Sequence, residues 1–242
     1  MKLLHLSDIH LTEKGKTIWG VNPKERLDYT INRISQIKDI DAIIISGDLS
    51  DDNSAWTYKY IDCCFSKLNI PTYCCTGNHD SKEQMVNILS FIKVEPIIFI
   101  GDWKVLFVDS TIKGKGKGYV DEKELSFLKK EISEYNKNII VVLHHPPILS
   151  GGWFNKKVLI LINHNELNKI FTTSKNVRLV LYGHIHSFTQ EELNGIIYHS
   201  TSSTYYAYDK DLPQYTKASG EEGFSIISIK EESIFIEYIK FN

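Results

Sequence analysis

Five short blocks of the sequence carry side chains able to bind metal or move protons: Asp8-Ile9-His10, Gly47-Asp48, Gly77-Asn78-His79-Asp80, His144-His145 and Gly183-His184-Ile185-His186. Between them they supply carboxylates, a carboxamide and imidazoles. Such a mixed oxygen and nitrogen donor set suits Mn, Fe, Zn, Co or Ni better than Ca or Mg. Side chains two apart in an extended segment point the same way, so Asp8-x-His10 and His184-x-His186 can each present a pair of donors. If one carboxylate bridges, the set can serve two ions. Two ions about 3.5–4 Å apart can hold a hydroxide between them and clamp a phosphoryl group for in-line attack. Gly47, Gly77 and Gly183 stand immediately before donors, where the absence of a side chain permits tight turns and close backbone approach.

Any one block is commonplace, and a lone histidine after a strand is usually structural. What distinguishes these is their position, because each follows an apolar run of strand length. Those runs are Leu3–Leu6, Ala42–Ile45, Pro71–Cys75, Asn138–Leu143 and Val177–Tyr182. Helical spacing separates them over Pro23–Ile37, Ser54–Leu68, Ser81–Phe91, Asp121–Tyr135 and Asn163–Phe171. Asn53 or Ser54, and Ser81, are candidate N-caps. Ile97–Ile100 and Lys104–Val108 form a hairpin pattern around Gly101-Asp102. From Phe188 the pattern is all-β: Phe188–Leu193, Gly195–His199, Phe224–Lys230 and Ser233–Lys240, with a hairpin signal at Asn194-Gly195. Alternating strands and helices predict an α/β fold. Continuously apolar strands predict sheets covered on both faces. The carboxyl ends of such strands gather on one edge, so the five blocks are expected to converge there.

The 242 residues fit one domain spanning 1–242. A net charge of −2 gives no general basic field, which argues against nonspecific binding to nucleic acid or anionic lipid. The N-terminal apolar run is short and broken by His5 and Asp8, and no apolar stretch reaches the ~18 residues of a membrane span. The four cysteines are adjacent pairs, Cys63-Cys64 and Cys74-Cys75, without C-x-x-C spacing. They read as reduced thiols of a cytoplasmic protein.

Outside the blocks, Lys113–Gly118 alternates lysine and glycine and reads as a solvated loop. Trp19 and Trp153 fall in loops, where they can stack a nucleobase or pack locally. Tyr205, Tyr206 and Tyr208 are expected to pack, with one of them a candidate pocket wall. His5, His164 and His199 are expected to be structural, and Lys156 and Lys157 to be solvated.

In order and content, the five blocks resemble the calcineurin-like metallophosphoesterase superfamily. Ser7–Leu11 running on to Gly20-Val21-Asn22, His144-His145-Pro146-Pro147 and Gly183–His186 are most similar to its class III cyclic-nucleotide phosphodiesterase branch, the bacterial cAMP phosphodiesterase group. The resemblance implies an α/β four-layer sandwich, two mixed β-sheets flanked by helices. It implies two divalent, or Fe(III) and divalent, transition-metal ions: one on Asp8, His10, Asp48 and His186, the other on Asp48, Asn78, His144 and His184. By spacing alone, either His144 or His145 can be the ligand. The family pattern favours His144, which leaves His145 behind the ligands or facing substrate together with Asn78 and His79. His79 is implied as the group that serves the leaving oxygen, with Asp80 orienting it. The implied activity is hydrolysis of a small phosphodiester, a cyclic nucleotide being one candidate. Phosphomonoesters, glycerophosphodiesters, nucleic acid and a non-catalytic scaffold are the alternatives. A lipid A-pathway pyrophosphatase typically carries Arg where His79 stands.

Overall fold

Apolar runs buried on both faces have formed two stacked sheets. The computed structural model describes residues 1–13, 17, 20–149, 160–209, 212 and 216–241. Trp19, Trp153, Lys156 and Lys157 therefore lie outside the described residues. The first sheet has the order β11-β10-β1-β2-β3, from β1 (Lys2–Leu6), β2 (Ala42–Ile45), β3 (Thr72–Cys74), β10 (Gly223–Lys230) and β11 (Ser233–Lys240). The second has the order β4-β5-β6-β7-β9-β8, from β4 (Ile97–Ile100), β5 (Trp103–Phe107), β6 (Ile139–Val142), β7 (Val177–Tyr182), β8 (Thr189–Leu193) and β9 (Ile196–Ser200). Both are mixed: β1, β2 and β3 run parallel, as do β5, β6, β7 and β9, while β10, β11, β4 and β8 pair antiparallel.

Alternate residues of each strand enter different layers. Leu3, Ile44, Val105, Ile140 and Leu179 pack between the sheets. Leu4, Ile43 and Ile45 pack outward against α1 (Pro23–Ser35) and α2 (Ala55–Ser66), through Leu27, Ile34, Tyr58, Ile61 and Phe65. Met85 of α3 (Lys82–Ile88) joins them. On the far side, Leu106, Val141 and Val180 meet Leu125 and Leu128 of α4 (Glu122–Ser133) and Leu167 and Phe171 of α5 (His164–Thr172). This gives four layers, helix–sheet–sheet–helix, as the family resemblance implies. Among the described residues, no helix is long and apolar enough to cross a membrane.

Local chemistry starts α2 and α3 at caps the sequence offers, while α1, α2 and α3 end at Ser35, Ser66 and Ile88, short of the expected Ile37, Leu68 and Phe91. Ser54 accepts from the Thr57 N–H and Ser81 from the Gln84 N–H. Asn53, the other candidate cap, instead has a left-handed backbone (φ 55°), and its side chain accepts from the Tyr58 hydroxyl. The Asn194-Gly195 turn is left-handed at both residues, as a tight hairpin between β8 and β9 requires.

Asp62, buried on α2, holds the exit of α3. Its carboxylate accepts from the N–H groups of Ser90 (3.1 Å), Phe91 (3.0 Å) and Ile92 (2.8 Å) and from the Ser90 hydroxyl (2.8 Å). Asp62→Ala leaves those donors, the buried Ile92 N–H among them, without their acceptor. It is expected to cost roughly 2–4 kcal/mol, read as a lower urea midpoint with an unchanged slope.

Candidate metal centre

The five blocks meet at the carboxyl ends of β1, β2, β3, β6 and β7. Three groups of side chains offer donor atoms close enough to share an ion: Asp8 with His10 and His186, Asp48 with His144 and His184, and His10 with Asp48 and His79. The first two meet across His10, whose Nε2 is 3.1 Å from His186 Nε2 and 3.6 Å from Asp48 Oδ2. His144 Nε2 lies 3.2 Å from Asp48 Oδ2, 3.0 Å from Asn78 Oδ1 and 3.2 Å from His184 Nδ1. His186 Nε2 lies 3.2 Å from Asp8 Oδ1.

The convergence does not use strand alternation. Asp8, His10, Asp48, His184 and His186 lie beyond the strand ends, and all have positive φ, between 47° and 72°. A left-handed backbone is unfavourable for residues with a side chain, and it recurs at functional sites where the surroundings enforce it. The expectation of extended Asp-x-His and His-x-His segments is therefore corrected: a left-handed residue on each side of Ile9 and of Ile185 turns both donors of each pair inward. The glycines behave as the sequence predicts. A Cβ on Gly77 would lie 2.1 Å from Asp48 Oδ1, and one on Gly183 would lie 1.8 Å from Ser7 Oγ.

The donor set fits transition-metal ions. Three of the four imidazoles have Nδ1 engaged outside the cluster, which leaves Nε2 facing in. His10 Nδ1 meets Asp51 (3.2 Å), while His144 Nδ1 meets the Ser46 carbonyl (2.8 Å) and His186 Nδ1 the Tyr206 carbonyl (2.9 Å). An acceptor behind Nδ1 fixes the tautomer a metal-binding imidazole needs. His184 is turned the other way, with Nδ1 inward and a buried Nε2 that has no hydrogen-bond partner among the described residues.

The donors shift one another's protonation. Burial opposes charge on His10 and His144. On His10 it is outweighed by hydrogen bonds to Asp51 and Asp8, which hold the pKa at about 10. On His144 it is outweighed by Asp48, which holds the pKa at about 9. Burial and the charge on His144 push His184 down to about 3. Burial would raise Asp8 and Asp48, yet the surrounding imidazoles hold both below the usual carboxylate range.

His79 stands beside the cluster, its side chain 42% exposed. Its expected partner was Asp80, and the structure corrects this. His79 Nδ1 pairs with Asp51 at 3.0 Å, and that hydrogen bond raises its pKa against the effect of burial. Asp51 therefore joins His10 to His79. It was missed in the sequence, although it stands three residues after Asp48. Asp80 turns away into the protein. Its carboxylate accepts from the N–H groups of Leu49 (3.1 Å), Ser50 (3.0 Å) and Gly77 (3.0 Å), stitching the loop after β2 to the loop after β3. Burial and the charge of Asp48 raise its pKa to about 6.

The remaining expectations divide. His144, not His145, enters the cluster. Of the two places expected for His145, it takes the one behind the ligands and not the substrate-facing one: it is fully buried with Nδ1 2.9 Å from Ser110 Oγ. Tyr206 is half-buried against the rings of His10 and His186, while Tyr205 is fully buried. His5 and His199 sit between the sheets, bonded to Ser46 and Ser225.

Comparison with known proteins agrees with this geometry. The family model described as calcineurin-like phosphoesterase matches residues 1–188. The chain is 25% identical over 235 residues to a 3′,5′-cyclic-nucleotide phosphodiesterase of Nostoc sp., covering 95% of this chain and 88% of that one. It is 30% identical over 189 residues to the 3′,5′-cyclic adenosine monophosphate phosphodiesterase CpdA of Pseudomonas aeruginosa, covering 76% and 69%. Its fold is similar to a crystal structure of a dimetal phosphatase from Danio rerio, with TM-score 0.68, 9% identity, and 98% and 95% of the two chains covered.

Gly77→Ala drives a methyl group into the Asp48 carboxylate. It is expected to weaken Mn(II) binding by about 10–100-fold, measured by calorimetric titration of the metal-stripped protein.

Proposed function

The chain belongs to the calcineurin-like phosphoesterase family, and on that premise we propose that it hydrolyses the phosphodiester bond of a small substrate, a 3′,5′-cyclic nucleotide. The observation that carries this reading is the pairing of a complete oxygen and nitrogen donor cluster with a half-exposed, Asp51-linked His79 at its edge. The names of the Nostoc and Pseudomonas relatives supply the substrate class.

In this reading a single domain, residues 1–242, holds two ions drawn from Mn, Fe, Zn, Co or Ni. Asp8, His10, Asp48 and His186 hold one; Asp48, Asn78, His144 and His184 hold the other. When bound, the ions neutralise phosphoryl oxygens and activate water. The protein's own groups do the rest. Asn78 turns Oδ1 toward His144, so its amide N–H is left to donate to a phosphoryl oxygen. Asp51 keeps a proton on His79, which passes it to the leaving alkoxide. Asp80 acts at a distance, by fixing the backbone that carries Asn78 and His79. The net charge of −2 supports a small substrate over nucleic acid. The free thiols Cys63, Cys64, Cys74 and Cys75 accord with a cytoplasmic setting.

The protein loaded with Mn(II) is expected to cleave a bis-nitrophenyl phosphodiester and 3′,5′-cAMP, to lose activity to a chelator and to regain it with Mn(II). His79→Ala should lower kcat by about 10²–10⁴-fold. Asp51→Asn should lower it by roughly 10–100-fold. Absence of hydrolysis with every metal would sink the reading. A kcat/KM higher for glycerophosphodiesters or phosphomonoesters than for cyclic nucleotides would overturn the substrate assignment.

A further inference from the structure

His145 has no role in the proposed chemistry, yet it is fully buried directly behind it. Its ring packs edge-on to His144 (centroids 5.1 Å apart, planes at 82°) and against His184 (4.7 Å). Both neighbours belong to the same ion's donor set. One hydroxyl holds His145 at two points: Ser110 Oγ accepts from its backbone N–H (3.3 Å) and lies 2.9 Å from its Nδ1.

Ser110 also lies near the start of the loop between β5 and α4 that contains the lysine–glycine repeat. The Tyr119 N–H donates to the Ser110 carbonyl at 2.9 Å, so the ends of the loop meet. At the far end, Gly118 lies flat on the His145 ring: a Cβ there would sit 2.4 Å from Cγ and 2.6 Å from Nδ1. Gly118 is itself fixed, its N–H donating to Ile160 (3.1 Å) and its carbonyl accepting from Ile162 (2.9 Å). Both ends of the loop therefore close on one imidazole, and that imidazole supports two candidate ligands.

We propose that Ser110, Gly118 and His145 form a positioning assembly that holds His144 and His184 in register for the ion they share with Asp48 and Asn78, and that the Lys113–Gly118 loop is built into the metal site through it. This rests on the two-ion reading of the cluster. His145 is a positioning residue here, not a catalytic one. A close-packed interior transmits displacement, so a methyl group at Gly118 pushes the ring toward its two neighbours.

The test is calorimetric titration of the metal-stripped protein with Mn(II), alongside the visible spectrum of the Co(II)-loaded protein. Wild type is expected to bind two ions. Gly118→Ala and Ser110→Ala should weaken one of the two by about 10–100-fold, leave the other within about twofold, and change the Co(II) spectrum. Ser110→Thr, which keeps the hydroxyl, should restore most of the loss. Thermal unfolding of each variant checks the fold; if Gly118→Ala fails to fold, the Ser110 pair decides. Two ions bound as tightly by Ser110→Ala as by wild type, with the same spectrum, would overturn the assembly. Equal weakening of both ions would overturn its selectivity. A wild-type protein that binds no ion would instead overturn the two-ion reading itself.

Discussion

A carboxylate as deeply buried as Asp48, which is 1% exposed, has to be compensated on every side. An uncompensated buried charge costs several kcal/mol. The compensation determines much of the local architecture. Oδ1 accepts from the His79 N–H at 2.8 Å, and Oδ2 faces His144 and His10. Asp8 imposes the same demand from the loop after β1, and the His184 N–H and His186 Nε2 meet it. The imidazoles converge where the carboxylates require them, and the left-handed residues are the conformational cost of reaching that point.

Around this centre a set of acceptors fixes orientation rather than charge. The Ser46 and Tyr206 carbonyls and the Asp51 carboxylate each take one ring nitrogen and turn the other inward. Ser203 Oγ donates to the Asp8 carbonyl at 2.6 Å, which ties the segment after β9 to the first block. Asp80 performs the equivalent task for the loops after β2 and β3. None of these groups needs to meet substrate. Each removes a degree of freedom from one that does, which is how a site built on loops keeps its geometry.

The sheets make such loops possible. Strands buried on both faces leave their ends as the one place where polar side chains can gather without disrupting packing. The interior nonetheless holds polar groups of its own. His5 and His199 face each other at 5.4 Å between the sheets, and burial pushes His199 down to about 3. His5 Nε2 lies 2.8 Å from Ser46 Oγ, so this neutral pair adjoins the residue whose carbonyl orients His144.

The elements were legible in the sequence because periodicity and caps are local. Ala42–Ile45 has the predicted bounds, Ser81 caps as predicted, and Asn194-Gly195 makes the predicted turn. The donor blocks were legible too, since residue type and position after a strand are properties of the chain. Partnership was not. Asp80 adjoins His79 in sequence, but a backbone turn sends it to the amides of Leu49 and Gly77, while Asp51, from another loop, takes the imidazole. His144 and His145 are equivalent by composition, and only the position of Ser110 on a neighbouring strand's loop separates them. The sequence by itself determined which donors this protein has and that they would meet at one edge. Which atom faces which was decided only by the tertiary structure, because the compensation of buried charge depends on distances between segments far apart in the chain.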